Sequence, residues 1–160
     1  MLFLLFQLGE DRYAIEAQRA VEVVPLLELK RIPRAPTGVA GIINYRGRPV
    51  PTIDLCALTL GRPARVKLST RIIVMRHDDA HGRPQLIGVI AEGATDLLRR
   101  EGREVFKPAV EAPRQQGGFL GPVMMDEKGF LQLVRPDHLL TEAVREALFA
   151  QVETFSYEED

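Results

Sequence analysis

The sequence predicts a mainly β fold, a barrel or a sandwich built from nine or ten short strands. Apolar or alternating runs of strand length recur along the chain, each bounded by Gly, Pro, Asn or Asp. Only one stretch, near the C-terminus, carries an extended helical period, and no internal repeat is visible. With 160 residues, 46% hydrophobic and 27% charged, the chain is expected to be soluble and to form one ordinary domain or two tightly packed small ones. A chain of that size buries about 70% of the surface its unfolded form exposes, enough for a real core.

Taken in order, Leu2 to Leu8 is continuously apolar and is followed by the turn Gly9-Glu10-Asp11 and the alternating Tyr13-Ala14-Ile15, an opening hairpin buried on one side. The apolar N-terminus lacks a basic leader and soon meets Glu10-Asp11-Arg12, so it reads as a first strand and not as a signal peptide. Val21, Val23 and Val24 form the next strand, with Glu22 facing away from them and Pro25 blocking a long helix. Pro33 and Pro36 force an extended connection before two further runs, Val39 to Ile43 and Val50 to Leu55. Cys56 to Leu60 is a short helix with Asp54 as its N-cap and Gly61 and Pro63 after its end.

Arg62 to Arg71 is a basic loop, and Ile72 to Met75 is the next strand. A long turn from His77 to Pro84 leads into Leu86 to Ala91, and Thr95 to Leu98 is expected to turn helical. The proline-broken stretch from Arg99 to Gly118 reads as an exposed loop. Phe119 to Met125 and Phe130 to Val134 make a last hairpin around Asp126-Glu127-Lys128-Gly129. Residues 136–152 carry the helical period, in Leu139, Leu140, Val144, Ala147, Leu148 and Val152, with a separate turn over Asp137 to Glu142 as the alternative reading, and 153–160 is expected to be a frayed tail.

The stretch Val39 to Leu55 is the most informative. Asn44 and Gly47 are the residues suited to positive φ in its turn, and Pro49 has no N–H to give a ladder. Between them the turn presents Tyr45, Arg46 and Arg48, side chains enriched where proteins grip one another. A plain hairpin tip with solvated arginines is the alternative reading of the same residues.

Other chemistries find less support. His77, Asp78 and His81 have the ligand types for a divalent metal or a metal-dependent enzyme, yet they fall at a hairpin tip beside Gly82 and Pro84, which reads as a solvated turn. Cys56 and His138 would need a third, orienting group to act as nucleophile and base, and a buried thiol is the simpler reading. No phosphate loop, serine elbow or paired-histidine motif occurs, so no cofactor is expected. The net charge of -1 gives no field for nucleic acid, and the basic residues Arg62, Arg65, Lys67 and Arg71 have no interleaved aromatics to stack bases.

The order of these elements resembles the CheW family of chemotaxis coupling proteins along nearly the whole chain. The likeness runs from the opening Phe-x-Leu-Gly hairpin and Tyr13-Ala14-Ile15 through Val21-Glu22-Val23, Arg31-Ile32-Pro33 and Ala35-Pro36. It continues with Gly41-x-x-Asn44-x-Arg46-Gly47, Val50-Pro51, Ile53-Asp54-Leu55, Leu86-Ile87-Gly88-Val89 and the closing Leu131 to Leu140. The resemblance implies a single CheW-like domain over 1–160, made of two packed five-stranded β-barrel subdomains with short helices and a C-terminal helix.

It further implies a protein without catalytic activity that is cytoplasmic and recruited to membrane receptor clusters. There it would link a chemoreceptor's cytoplasmic tip to the regulatory domain of a CheA-type histidine kinase. The partner-binding residues it points to are Glu22, Asn44, Tyr45, Arg46, Gly47, Arg48 and Asp54, with Glu22 and Arg46 as the charged coupling positions. Tyr45 departs from the Leu or Ile usual at its position, which favours a dedicated chemosensory pathway of the Wsp surface-sensing kind.

Overall fold

A long strand shared by two halves organises the molecule. The computed structural model describes residues 2–78, 81–99 and 118–139. Its strands are β1 (Leu2–Leu8), β2 (Asp11–Glu16), β3 (Ala20–Pro25), β4 (Val39–Tyr45), β5 (Arg48–Asp54), β6 (Arg71–Asp78), β7 (Pro84–Arg99), β8 (Leu120–Asp126) and β9 (Gly129–Val134). The helix α1 (Leu55–Leu60) follows β5, and single 3-10 turns cover Ala17–Arg19 and Pro136–His138.

The first part of β7 pairs antiparallel with β6 and parallel with β5, whose other neighbour is β4, while β6 carries β3. The second part pairs antiparallel with β1, which continues through β2 and β9 to β8. Each half therefore has, among the described residues, five strands with β7 counted in both, the mainly β, two-subdomain arrangement that the resemblance implies. Among the described residues, the hydrogen-bond ladders close neither half into a complete barrel.

Burial explains why so many strands read as unbroken apolar runs. One core cluster lies between the halves and joins Phe6, Leu8, Tyr13 and Ile15 to Ile53, Leu55, Ile73, Met75 and Val89. A second fills the half built on β3 to β7 with Ile43, Val50, Ile72, Val74 and Ile90, and a third fills the other with Phe3, Ala14, Met124 and Leu131. Strands covered on both faces need apolar side chains at consecutive positions, and Ile72 to Met75 are all fully buried. The one-sided opening hairpin is corrected on the same ground: Ala14 packs on one face, and Tyr13 and Ile15 on the other. The rings of Phe6 and Tyr13 stack across that hairpin at 5.9 Å, and truncating Phe6 to Ala would cost about 3–5 kcal/mol.

Two further expectations change. Thr95 to Leu98 is strand and not helix, because pairing with β1 outweighs a weak local helical tendency. β6 runs on through His77 and Asp78, which pair with Gln85 and Pro84, so the intervening turn is shorter than expected. Pro136 to His138 forms a 3-10 turn ending near the buried Leu139, and the rest of the expected 136–152 helix and the 153–160 tail lie outside the described residues. The exposed loop expected between Arg99 and Gly118 also falls almost wholly outside them. Pro122 is accommodated because β8 is an outer strand whose register skips from Leu120 to Val123.

Candidate partner-binding site

The turn between β4 and β5 is only two residues long, Arg46 and Gly47, with Tyr45 directly opposite Arg48. Both turn residues have positive φ, 52° and 83°, the hand that matches the twist of paired strands. Gly47 adopts this freely, whereas an L-residue such as Arg46 gives up about 1–2 kcal/mol there. The sequence assigned positive φ to Asn44 and Gly47, and the correction is specific. Asn44 remains in the strand, and its side-chain oxygen accepts the Gly47 N–H at 2.7 Å, so it shapes the turn by hydrogen bonding.

What holds Arg46 in place comes from β3. The Tyr45 hydroxyl donates to the Glu22 carboxylate, and the Arg46 guanidinium reaches the two Glu22 oxygens at 3.2 and 3.0 Å. The Arg46 charge also lies 5.5 Å from the centroid of the Tyr45 ring. The Tyr45 hydroxyl, and after it Arg46, hold the Glu22 carboxyl below its ordinary range. The same hydrogen bond raises the Tyr45 phenol. Glu22 thus stays ionised, and Arg46 remains 75% exposed with its direction fixed.

The position of this cluster in the sheet gives it further meaning. β3 and β4 are the outer strands of their half, and they are not paired with each other. Beyond β3, Lys30 and Ile42 exchange backbone hydrogen bonds of 2.8 Å in both directions, a single bridge across the seam. Gly41 permits that bridge: its φ is 145°, and a Cβ there would stand 2.4 Å from the Lys30 carbonyl oxygen. The cluster of Glu22, Tyr45 and Arg46 closes the same seam with side chains, above a floor formed by Val24, Ile43 and Val50.

Arg48 is exposed beside the cluster, opposite Tyr45. Asp54 is different, since it is buried at 6% exposure and its oxygens serve the chain itself. One accepts from the backbone N–H groups of Cys56 and Ala57 at 2.9 and 3.3 Å, capping α1, and the other from Ala64 at 2.8 Å. It lies at the far end of β5 from the turn.

The remaining candidates resolve by position. His77 is buried and turns its Nδ1 to within 3.5 Å of Asp137, which also pairs with Arg19, while Asp78 and His81 are exposed. Among the described residues, no group of three or more His, Cys, Asp or Glu is placed to hold a metal ion. Cys56 is buried, and desolvation, with Glu92 and Asp54 nearby, pushes its thiol up to about 12, so it is neither thiolate nor nucleophile at neutral pH.

Two ionic contacts had no signal in the sequence. Glu92 takes Arg62 at 2.9 and 3.3 Å and the Arg65 N–H at 2.9 Å, and these contacts bring its carboxyl down to about 2. Arg12 grips Asp126 with two bonds of 2.7 and 2.6 Å, fastening β2 to the last hairpin. Their partners lie 30 and 114 residues apart, beyond any local pattern.

Known proteins resemble the chain in sequence and in shape. The chemotaxis protein CheW of Helicobacter pylori is 33% identical over 98 residues, covering 61% of this chain and 56% of that protein. The chemotaxis protein CheW of Klebsiella aerogenes is 28% identical over 109 residues, covering 68% and 62%. The chain therefore matches less than two thirds of the length of these two relatives. The crystal structure of the scaffolding protein TtCheW from Thermoanaerobacter tengcongensis superposes with a TM-score of 0.72 at 21% identity, over 88% of this chain and 87% of that one. No helix among the described residues is long and apolar enough to cross a membrane. The model of the CheW-like domain matches residues 2–144, and the chain belongs to that family.

Proposed function

We propose that this protein is a non-catalytic adaptor of a bacterial chemosensory complex, which joins the cytoplasmic tip of a chemoreceptor to the regulatory domain of a CheA-type histidine kinase. It acts in the cytoplasm and reaches the membrane only through the receptor clusters that recruit it. The observation that carries this reading is the exposed Arg46, held by Glu22 from the opposite side of a sheet seam, with the Tyr45 hydroxyl bonded to the same carboxylate. An interface anchor is effective when its side chain is ordered before the partner arrives, because less rotamer entropy is then lost on binding. Arg46, Tyr45 and Arg48 supply contact, Glu22, Asn44 and Gly47 set their geometry, and Asp54 acts indirectly by fixing the other end of β5.

Coupling has a physical meaning in such an adaptor only if receptor and kinase each bind with different strength to two arrangements of the complex. Two faces of about 800 Å² each would hold both partners at once. The test is binding of the purified chain to a receptor cytoplasmic fragment and to the kinase regulatory domain. Arg46→Ala and Glu22→Ala are each expected to weaken at least one of these by about tenfold. The double variant should lose little more than either alone, because both changes dismantle one cluster. Strictly additive losses would show that Glu22 and Arg46 do not act as a pair, and receptor and kinase displacing each other from a single patch would refute the bridge.

A further inference from the structure

The loop between α1 and β6 carries a surface unlike the rest of the molecule. Val66 and Leu68 are the most exposed large apolar side chains among the described residues, at 86% and 98%. Lys67 stands between them, Arg65 precedes them, and Arg71 follows. From Leu55 through His77 the sequence contains no Asp or Glu. Arg62 is matched by Glu92, but among the described residues no carboxylate pairs with the side chains of Arg65, Lys67 or Arg71. The loop therefore combines two bare aliphatic groups with three cations.

It is also firmly held at its base. Ala64 donates to Asp54, Arg65 donates through its backbone to Glu92, and the Ala94 N–H reaches the Ser69 carbonyl at 3.0 Å. Within the loop the Thr70 hydroxyl donates to the Arg65 carbonyl at 2.6 Å, and the Thr70 N–H to Lys67 at 3.0 Å. A connection ordered by this many bonds needs no exposed leucine for folding, and leaving Val66 and Leu68 in water brings the free chain no stability. Their placement suits a surface that is covered by something else.

We propose that residues 61–71 form a docking site for an acidic protein segment bearing aliphatic side chains, separate from the Arg46 turn. The charge of the loop selects acidic residues, and the two aliphatic groups select apolar ones between them. The loop is rooted at the end of β5 opposite the turn, about 20 Å away by strand rise, so both surfaces can be occupied together. An anionic membrane offers charge of the same sign, but stable attachment takes an acyl chain or a second signal beside a basic patch. A net charge of -1 adds no long-range attraction to such a surface.

Fluorescence anisotropy with labelled peptides of about 16 residues tests this. One probe interleaves Glu with Leu, one replaces Leu by Ser at the same charge, and one replaces Glu by Lys. The full chain should bind the first saturably, the second about tenfold more weakly and the third not at all. The variant V66S/L68S should lose about tenfold for the first probe, keep its thermal midpoint, and keep whatever receptor and kinase binding the parent shows. Lys67→Glu should weaken binding and reduce its salt dependence. Absent binding, or equal binding by V66S/L68S, overturns the proposal. So does flotation of the wild type, lost in V66S/L68S, with phosphatidylcholine vesicles holding one-fifth phosphatidylserine, which would assign the loop to a lipid surface.

Discussion

The Tyr45 hydroxyl donates a hydrogen bond to the Glu22 carboxylate across the gap between β3 and β4, two outer strands that share no ladder of their own. This bond is the largest influence lowering the Glu22 carboxyl, ahead of the nearby Arg46 charge. Tyr45→Phe keeps the ring over its apolar floor and removes only the donor. The Glu22 carboxyl should then titrate closer to its ordinary range, and Arg46→Ala should move it less. Side-chain carbon shifts of Glu22 followed through an acid titration would report both. An unchanged Glu22 titration in Tyr45→Phe would mean that the hydroxyl does not hold the carboxylate in solution.

Gly41 makes a second claim on the same seam. Its positive φ and the Lys30 carbonyl 2.4 Å from a would-be Cβ leave no room for a side chain. Gly41→Ala should destabilise the fold by about 2–4 kcal/mol, as the Lys30–Ile42 bridge opens or the strand strains. Urea unfolding measures it, and amide exchange at Ile42 and Lys30 should quicken more than at Ile73. A midpoint equal to the wild type would show that the bridge does not constrain Gly41.

How far the sequence reaches is clear from these residues. Strand-turn-strand around Tyr45 to Arg48 was legible because turn chemistry is local, as was the Asp54 cap, which lies two and three residues from the N–H groups it accepts. Glu22 and Arg46 were expected as charged coupling positions, and the two meet across a seam at opposite edges of one half. The Tyr45 hydroxyl bond, the Glu92 anchor and the extension of β7 through Leu98 were not legible. Each depends on which distant strand lies alongside, and no local propensity encodes that choice. The same holds for Asn44, whose role changed from backbone conformer to acceptor once the turn length was known.

Asp54 offers a prediction about stability. Asp54→Ala removes one acceptor from Cys56 and Ala57 and another from Ala64, leaving partly buried N–H groups unmatched. The expected loss is about 1–3 kcal/mol, combining a helix cap with an unsatisfied donor. Asp54→Asn keeps one oxygen and should lose less. Thermal unfolding monitored by circular dichroism distinguishes them, and equal midpoints for all three proteins would mean that the cap contributes nothing.

Glu92 sets the acid limb of the stability profile. Its carboxyl sits at about 2 in the folded chain against an ordinary 4.5, through the hydrogen bond from Arg62 first and then the Arg65 N–H, with burial opposing both. Between those values the unfolded chain has taken up the proton and the folded chain has not, so falling pH favours unfolding. The stabilisation from Glu92 is complete above about pH 4.5, declines as pH falls, and is gone below about pH 2. Glu92→Gln should cost about 1–3 kcal/mol at neutral pH and flatten the dependence over that window. Cys56 supplies an independent readout, because its buried thiol, pushed up to about 12, stays protonated in the native state. Alkylation by iodoacetamide at pH 8 should therefore follow opening of the structure, and Glu92→Gln should speed it in proportion to the stability lost. Alkylation that is fast in the wild type, or indifferent to Glu92, would show that the thiol is reached without loosening the Arg62 and Arg65 contacts at the base of the loop.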